Sequence, residues 1–155
     1  MKPLGPNIRP PPLYFVGGFL VGMLLHGVVV PIHFSSEPTR LLSISGWTLF
    51  WIGMIVAHAG VLTFMLAGTT MFPLKAASRL VTHGPYRYTR NPMYTGLALS
   101  YVGLALALNT AWPLILLPLM LWLVIKTVIE QEERYLEATF GQEYLDYKKR
   151  VRRWI

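Results

Sequence analysis

The chain has 155 residues, a formal net charge of +7 and no cysteine. Only 14% of its residues are charged while 54% are hydrophobic, against roughly 25% charged in ordinary soluble domains, which argues against a soluble protein and for a single membrane domain over residues 1–155. The lack of cysteine excludes thiol chemistry, disulfides and Cys-ligated metal. The basic residues flank apolar runs instead of forming a module of their own, so attraction to lipid headgroups explains the charge and nucleic acid does not.

The N-terminal stretch 2–12 carries five prolines and reads as an extended arm at the membrane interface. Residues 13–32 then run without a formal charge. This run is longer than the apolar core of a secretory signal, about 7–15 residues, and ends in Val-Val-Val-Pro, so it reads as a span and not as a cleaved leader. A second uncharged run covers residues 41–66. Both reach the roughly 20 residues that a helix needs to cross the hydrocarbon core. Gly18 with Gly22, and Gly53 with Ala57, are small pairs at four-residue spacing that let helices approach closely within the monomer.

Residues 67–92 form a long polar loop, and its length alone points to function. Gly84-Pro85 is a turn signal, and Asn91, placed before Pro92, is biased away from the helical region. Pro92 or Met93 opens the third apolar run, 93–108, whose sixteen residues reach only about 24 Å. The first turn of that helix presents unpaired N–H groups suited to an anion. A link at 109–113 leads to the fourth run, 112–129, with Lys126 near its end, and the third and fourth runs read as a compact hairpin. Glu130, Glu132, Glu133 and Arg134 follow. Lys126–Glu130 and Glu130–Arg134 have ion-pair spacing on one helix, which leaves Glu132 and Glu133 for a site.

The expected fold is therefore all-α, a bundle of about four transmembrane helices with a loop and a C-terminal helix forming a pocket from segments 67–94 and 126–155. Twelve Lys or Arg residues lie on the side of the termini and the 67–92 loop, against Arg40 alone, balanced by Glu37, on the other. The positive-inside rule then places both termini and the site in the cytoplasm. His26 and His58 lie inside spans and are expected to find interhelical partners. His33 reads as a loop residue, and no metal site is expected. Tyr135, Tyr144 and Tyr147 read as packing or interfacial residues. The sequence does not give an oligomeric state.

Gly84-Pro85-Tyr86-Arg87, then Arg90-Asn91-Pro92-Met93-Tyr94, then Glu132-Glu133, with Phe140-Gly141, Tyr144-Leu145-x-Tyr147 and the tail 150–155, resemble the isoprenylcysteine carboxyl methyltransferase family over roughly residues 67–155. The resemblance implies an integral membrane enzyme that uses S-adenosylmethionine. It implies cofactor contacts at Val81, His83, Gly84, Tyr86, Asn91, Tyr94 and Glu132. Asn91 stands where that family usually has histidine, so this position binds but does not titrate. The acceptor is expected to be lipophilic. A carboxylate acceptor arrives ionised and needs a guiding cation, for which Arg90 is the candidate; an amine acceptor needs a base, for which Glu133 and Tyr86 are the candidates. Two other readings fit the residues. One is a nicotinamide-dependent membrane reductase of related architecture. The other is a non-catalytic membrane protein that keeps the pocket.

Overall fold

The computed structural model describes residues 10–36, 39–68 and 79–154. The expected arm at 2–12 lies almost wholly outside these residues, as do Glu37 and the part of the polar loop holding Pro73 and Lys75. Every regular element among the described residues is helical. In chain order they are α1 (Pro12–Val28), α2 (Arg40–Leu66), a 3-10 turn (Gly84–Arg87), α3 (Pro92–Ala107), α4 (Trp112–Val124), a π-helical turn (Ile125–Ile129), α5 (Glu130–Phe140) and α6 (Gln142–Arg150).

Local chemistry sets the helix ends. Thr39 caps α2, its hydroxyl accepting from the Leu42 N–H at 3.2 Å, which satisfies one of the orphan donors of the first turn. Prolines open α1, α3 and α4, where their missing N–H costs nothing. Pro31 stops α1 early, because proline lacks the donor and pushes the residue before it out of the helical region. Gly141, at φ +54°, ends α5 and turns the chain into α6.

Among the described residues, two helices are long and apolar enough to cross a membrane: Arg40–Leu66, and the continuous 29-residue helix Trp112–Phe140 that joins α4, the π turn and α5. The expectation of about four transmembrane helices is met in part, since α1 and α3 are shorter apolar helices of 17 and 16 residues. The first expected span loses residues 29–32, which are not helical. The third is confined between Pro92 and Asn109, a residue at φ +50°, a conformation that asparagine tolerates better than most residues.

The third and fourth runs touch as the expected hairpin, but it is not their main packing. They are joined by a tight link, but α3 packs mainly against α2, and α4 against α1. Glycine spacing explains this partnership. Gly46, Gly53 and Gly60 recur every seven residues along α2 and are matched by Gly96 and Gly103 on α3. A Cβ on Gly53 would fall 2.5 Å from the carbonyl oxygen of Gly96, and one on Gly96 would fall 2.5 Å from the backbone nitrogen of Ala57. The two backbones are therefore in contact, as small residues permit in hydrocarbon, where no hydrophobic force drives helices together. Gly18 and Gly22 serve the same purpose between α1 and α4, against Met120 and Pro113.

A core of Phe15, Tyr94, Tyr101, Val124, Val128 and Ile129 lies among α1, α3, α4 and the π turn. The outside is also apolar: Leu20, Leu24, Ile55, Leu62, Ile115, Leu119 and Trp122 are all exposed. A surface of this kind fits a hydrocarbon solvent, and the molecule is a membrane protein. At the end away from the polar loop, Asn109 ties the connections together. Its Oδ1 accepts from the N–H groups of Phe34 and Ser35, and its Nδ2 donates to the Ser35 carbonyl. The two histidines expected to find interhelical partners do otherwise: His26 meets Thr110 of the link between α3 and α4 at 3.0 Å, and His58 bonds the Met54 carbonyl of its own helix. His33 bonds the Asn109 carbonyl.

Candidate functional site

The polar loop, the start of α3, the start of α5 and the C-terminal tail meet at one end of the bundle. The π turn prepares this meeting. A π turn holds one residue more than an α turn, so everything after it is rotated by about 100° from an uninterrupted helix. Thr127 within it is hydrogen-bonded both to the Leu123 carbonyl, 2.7 Å, and to the Tyr14 hydroxyl, 3.0 Å. A side chain that competes in this way for a backbone carbonyl loosens the α ladder. In the resulting register Glu132 meets Tyr94 and Glu133 meets Arg90.

The Tyr94 hydroxyl donates to Glu132 Oε1 at 2.8 Å. Arg90 Nη1 lies 2.9 Å from Glu133 Oε1, with side chains only 10% and 11% exposed, and also donates to the Tyr144 hydroxyl at 3.3 Å. Arg153 holds the same carboxylate from the other side, Nε to Oε1 at 3.0 Å and Nη2 to Oε2 at 2.7 Å. Both oxygens of Glu133 are thus taken by guanidinium groups, which opposes the proton-accepting role considered for it. Lys126 and Glu130 form the expected pair at 2.7 Å, outside this cluster.

The tail is strapped across the motif. The Arg90 N–H donates to the Arg152 carbonyl at 2.9 Å. The Thr89 hydroxyl and Asn91 Nδ2 both donate to the Arg153 carbonyl at 3.0 Å. Trp154 packs on the apolar core. Asn91 is buried and starts α3, its carbonyl accepting from the Thr95 N–H.

Tyr86 is buried in the 3-10 turn, its ring edge-on to Phe64 at 5.1 Å, and its carbonyl accepts from the Tyr147 hydroxyl at 2.8 Å. Tyr144 and Tyr147 are buried, which bears out their packing role and adds the hydrogen bonds just described. Burial pushes the Tyr86 hydroxyl far above the usual phenol range, and the charge of Glu132 adds to this. Tyr86 is therefore a neutral hydroxyl at ordinary pH and a poor base. Val81 is buried, whereas His83 and Gly84 are exposed. Gly84 sits at φ +61° with Thr63 of α2 close behind it, a place that any side chain would strain.

Among the described residues of this end, three side-chain polar atoms are buried without a partner: Arg90 Nε, the Tyr86 hydroxyl and Thr95 Oγ1 in the first turn of α3. Sequence reasoning did not single out Arg153 and Thr89, because neither residue has an unusual neighbourhood until the tail folds back.

An all-helical membrane bundle with a basic and acidic cluster at one end defines the class. The family model described as phospholipid methyltransferase matches residues 41–143, and the chain belongs to that family. Protein-S-isoprenylcysteine O-methyltransferase B of Arabidopsis thaliana is 29% identical over 108 residues, covering 68% of this chain and 55% of that protein. A probable protein-S-isoprenylcysteine O-methyltransferase of Oryza sativa subsp. indica is 30% identical over 114 residues, 68% of this chain and 60% of that protein. The protein-S-isoprenylcysteine O-methyltransferase of Schizosaccharomyces pombe is 38% identical over 72 residues, 46% and 30%. The chain thus spans little more than half the length of the plant relatives it matches, and these similarities agree with the resemblance carried by the motif residues.

Proposed function

We propose that this chain is an integral membrane methyltransferase that moves a methyl group from S-adenosylmethionine to a lipophilic acceptor, an isoprenylcysteine-type carboxylate being the favoured case. The observation that carries the reading is the meeting of Arg90, Tyr94, Glu132 and Glu133, from segments some 40 residues apart, beside three buried donors without partners. An unsatisfied buried donor costs about 1–3 kcal/mol, so a ligand that supplies acceptors is favoured there. The names of the relatives support the same chemistry.

The residues present suit the methyl donor. Arg90 offers a cation to a carboxylate, Glu132 an acceptor to an ammonium, and Val81, Tyr86 and Tyr94 apolar or aromatic surface, with His83, Gly84 and Asn91 contributing loop contacts. When bound, S-adenosylmethionine supplies an electrophilic methyl group on sulfonium. The task of the chain is to hold the partners in line and keep water out. Arg90 guides a carboxylate that needs no base, and Glu133 fixes Arg90.

In this reading all four apolar helices cross the bilayer as one domain, with the termini and the 67–92 loop cytoplasmic. Helices α1 and α3, about 26 and 24 Å long at about 1.5 Å per residue, then require local thinning of the roughly 30 Å core. The acceptor reaches the site from the lipid.

Calorimetric titration of the detergent-purified chain with S-adenosylhomocysteine, alongside NADPH, tests the proposal. The expected result is micromolar binding of the nucleoside, weakened by Glu132→Ala and by Asn91→Ala. Binding of NADPH without binding of the nucleoside would overturn it in favour of a reductase. Nucleoside binding without methyl transfer to any lipophilic acceptor would favour a non-catalytic role.

A further inference from the structure

Glu133 carries one negative charge but accepts from two guanidinium groups. Arg153 takes both of its oxygens through two parallel bonds, at 3.0 and 2.7 Å, the forked arrangement in which arginine and carboxylate pair most strongly. Arg90 shares only Oε1. Among the described residues both arginines form ion pairs with Glu133 alone: Glu130 pairs with Lys126, and Glu132 accepts from the neutral Tyr94 hydroxyl and pairs with neither arginine. The two arginines and Glu133 therefore hold one surplus positive charge. Arg90 is the more buried of the two, 10% exposed against 33%; it reaches Glu133 through Nη1 alone, and its Nε has no partner. The backbone around it is fixed by the same tail, through the carbonyls of Arg152 and Arg153.

We propose that Arg153 is a positioning residue that takes up the charge of Glu133, so that the Arg90 guanidinium stays fixed in place but un-neutralised and ready for the carboxylate of a ligand. This rests on the reading of Arg90 as a carboxylate-binding group under Proposed function. Glu133 alone would orient Arg90 and cancel it at once, because a single close pair attracts no further anion. Arg153 separates the two effects. The carboxylate in question belongs either to the amino-acid end of the methyl donor or to the acceptor, and the chemistry at Arg90 is the same for both.

Binding to the purified 155-residue chain decides the matter with two matched pairs of probes. The first pair is S-adenosylhomocysteine and 5′-methylthioadenosine, which lacks the amino-acid carboxylate. The second is N-acetyl-S-farnesylcysteine and its methyl ester. R153Q is expected to weaken binding of the carboxylate-bearing member of one pair by about tenfold, equivalent to about 1.4 kcal/mol, and to leave its carboxylate-free counterpart unchanged. The pair that responds identifies the source of the carboxylate. R153K, which keeps the charge without the fork, recovers part of the loss. The double variant E133Q/R153Q recovers more, because the group that cancels Arg90 is gone. A merely structural role for Arg153 predicts the reverse, since removing both partners loosens the strap further. The inference is overturned if R153Q binds all four probes as the wild type does, if it weakens both members of a pair alike, or if the double variant is no better than the single one. A wild-type chain that binds neither S-adenosylhomocysteine nor the farnesylated probe would instead sink the methyltransferase reading itself.

Discussion

Arg90 combines burial, a fixed position and an unused donor, and it meets Glu133 and Tyr144 through a single nitrogen, Nη1. Replacing it by alanine is expected to lower kcat/KM for methyl transfer about a hundredfold, since the loss of a charged hydrogen bond in a buried site costs about 3 kcal/mol. Lysine should not rescue it, because a point charge on a flexible stem does not reproduce the planar fork. Steady-state kinetics with a farnesylated cysteine acceptor checks both variants. Tyr86 leads to a different prediction. Its hydroxyl stays protonated through the neutral range, so Tyr86→Phe should leave the pH profile of methyl transfer unchanged in shape. A wild-type profile that rises on the alkaline side and loses that rise in the variant would restore Tyr86 as a base. Both residues were visible in the sequence because charge and polarity beside hydrocarbon are costly and therefore conspicuous. Arg153 was hidden among the basic residues of the tail, where positive charge near a membrane surface is ordinary.

Helix pairing rests on glycine. On α2 and α3 the seven-residue spacing of Gly46, Gly53 and Gly60 against Gly96 and Gly103 brings two backbones into contact over several turns. A leucine at Gly53 or a valine at Gly96 must push them apart. Either variant is expected to lose at least about 1–3 kcal/mol, read as a lower midpoint of thermal unfolding in detergent. Gly27→Ala has open space around it and is expected to be neutral or slightly stabilising, since alanine is the better helix former. Equal effects at the three positions would remove the glycine contact as the reason for this pairing. The spacing of Gly53 and Ala57 announced a close approach, but nothing local in the sequence said that α3 would be the partner. Nor did the sequence announce the π turn, since Ile125-Lys126-Thr127-Val128-Ile129 is an acceptable α-helical stretch by composition. Its register depends on what Tyr14 and Tyr94 offer from other helices.

For the whole molecule, the arrangement across the bilayer can be read out directly, because the chain has no native cysteine. Single cysteines at Ser36, Tyr88, Ala111 and Glu143 fall in successive connections or, for Glu143, in α6. If α2, α3 and the long helix Trp112–Phe140 each cross, an impermeant maleimide should label Ser36→Cys and Ala111→Cys from one side only, and Tyr88→Cys and Glu143→Cys from the other. Labelling of Tyr88→Cys and Ala111→Cys from the same face would show that the 16-residue α3 does not span. The amino-acid sequence by itself determined that this is an all-helical membrane protein, where its apolar runs lie, and which polar segments depart from them. These are properties of composition over a stretch of neighbouring residues, and burying backbone in hydrocarbon leaves helix as the economical solution for each run. The tertiary structure decided which helices pair, where α1 stops short of its apolar run, and that the tail folds over Arg90 and Asn91 to give Glu133 its second arginine. Those outcomes depend on fit between surfaces far apart in the chain, and among apolar helices in an apolar solvent that fit has no signature until both surfaces are present.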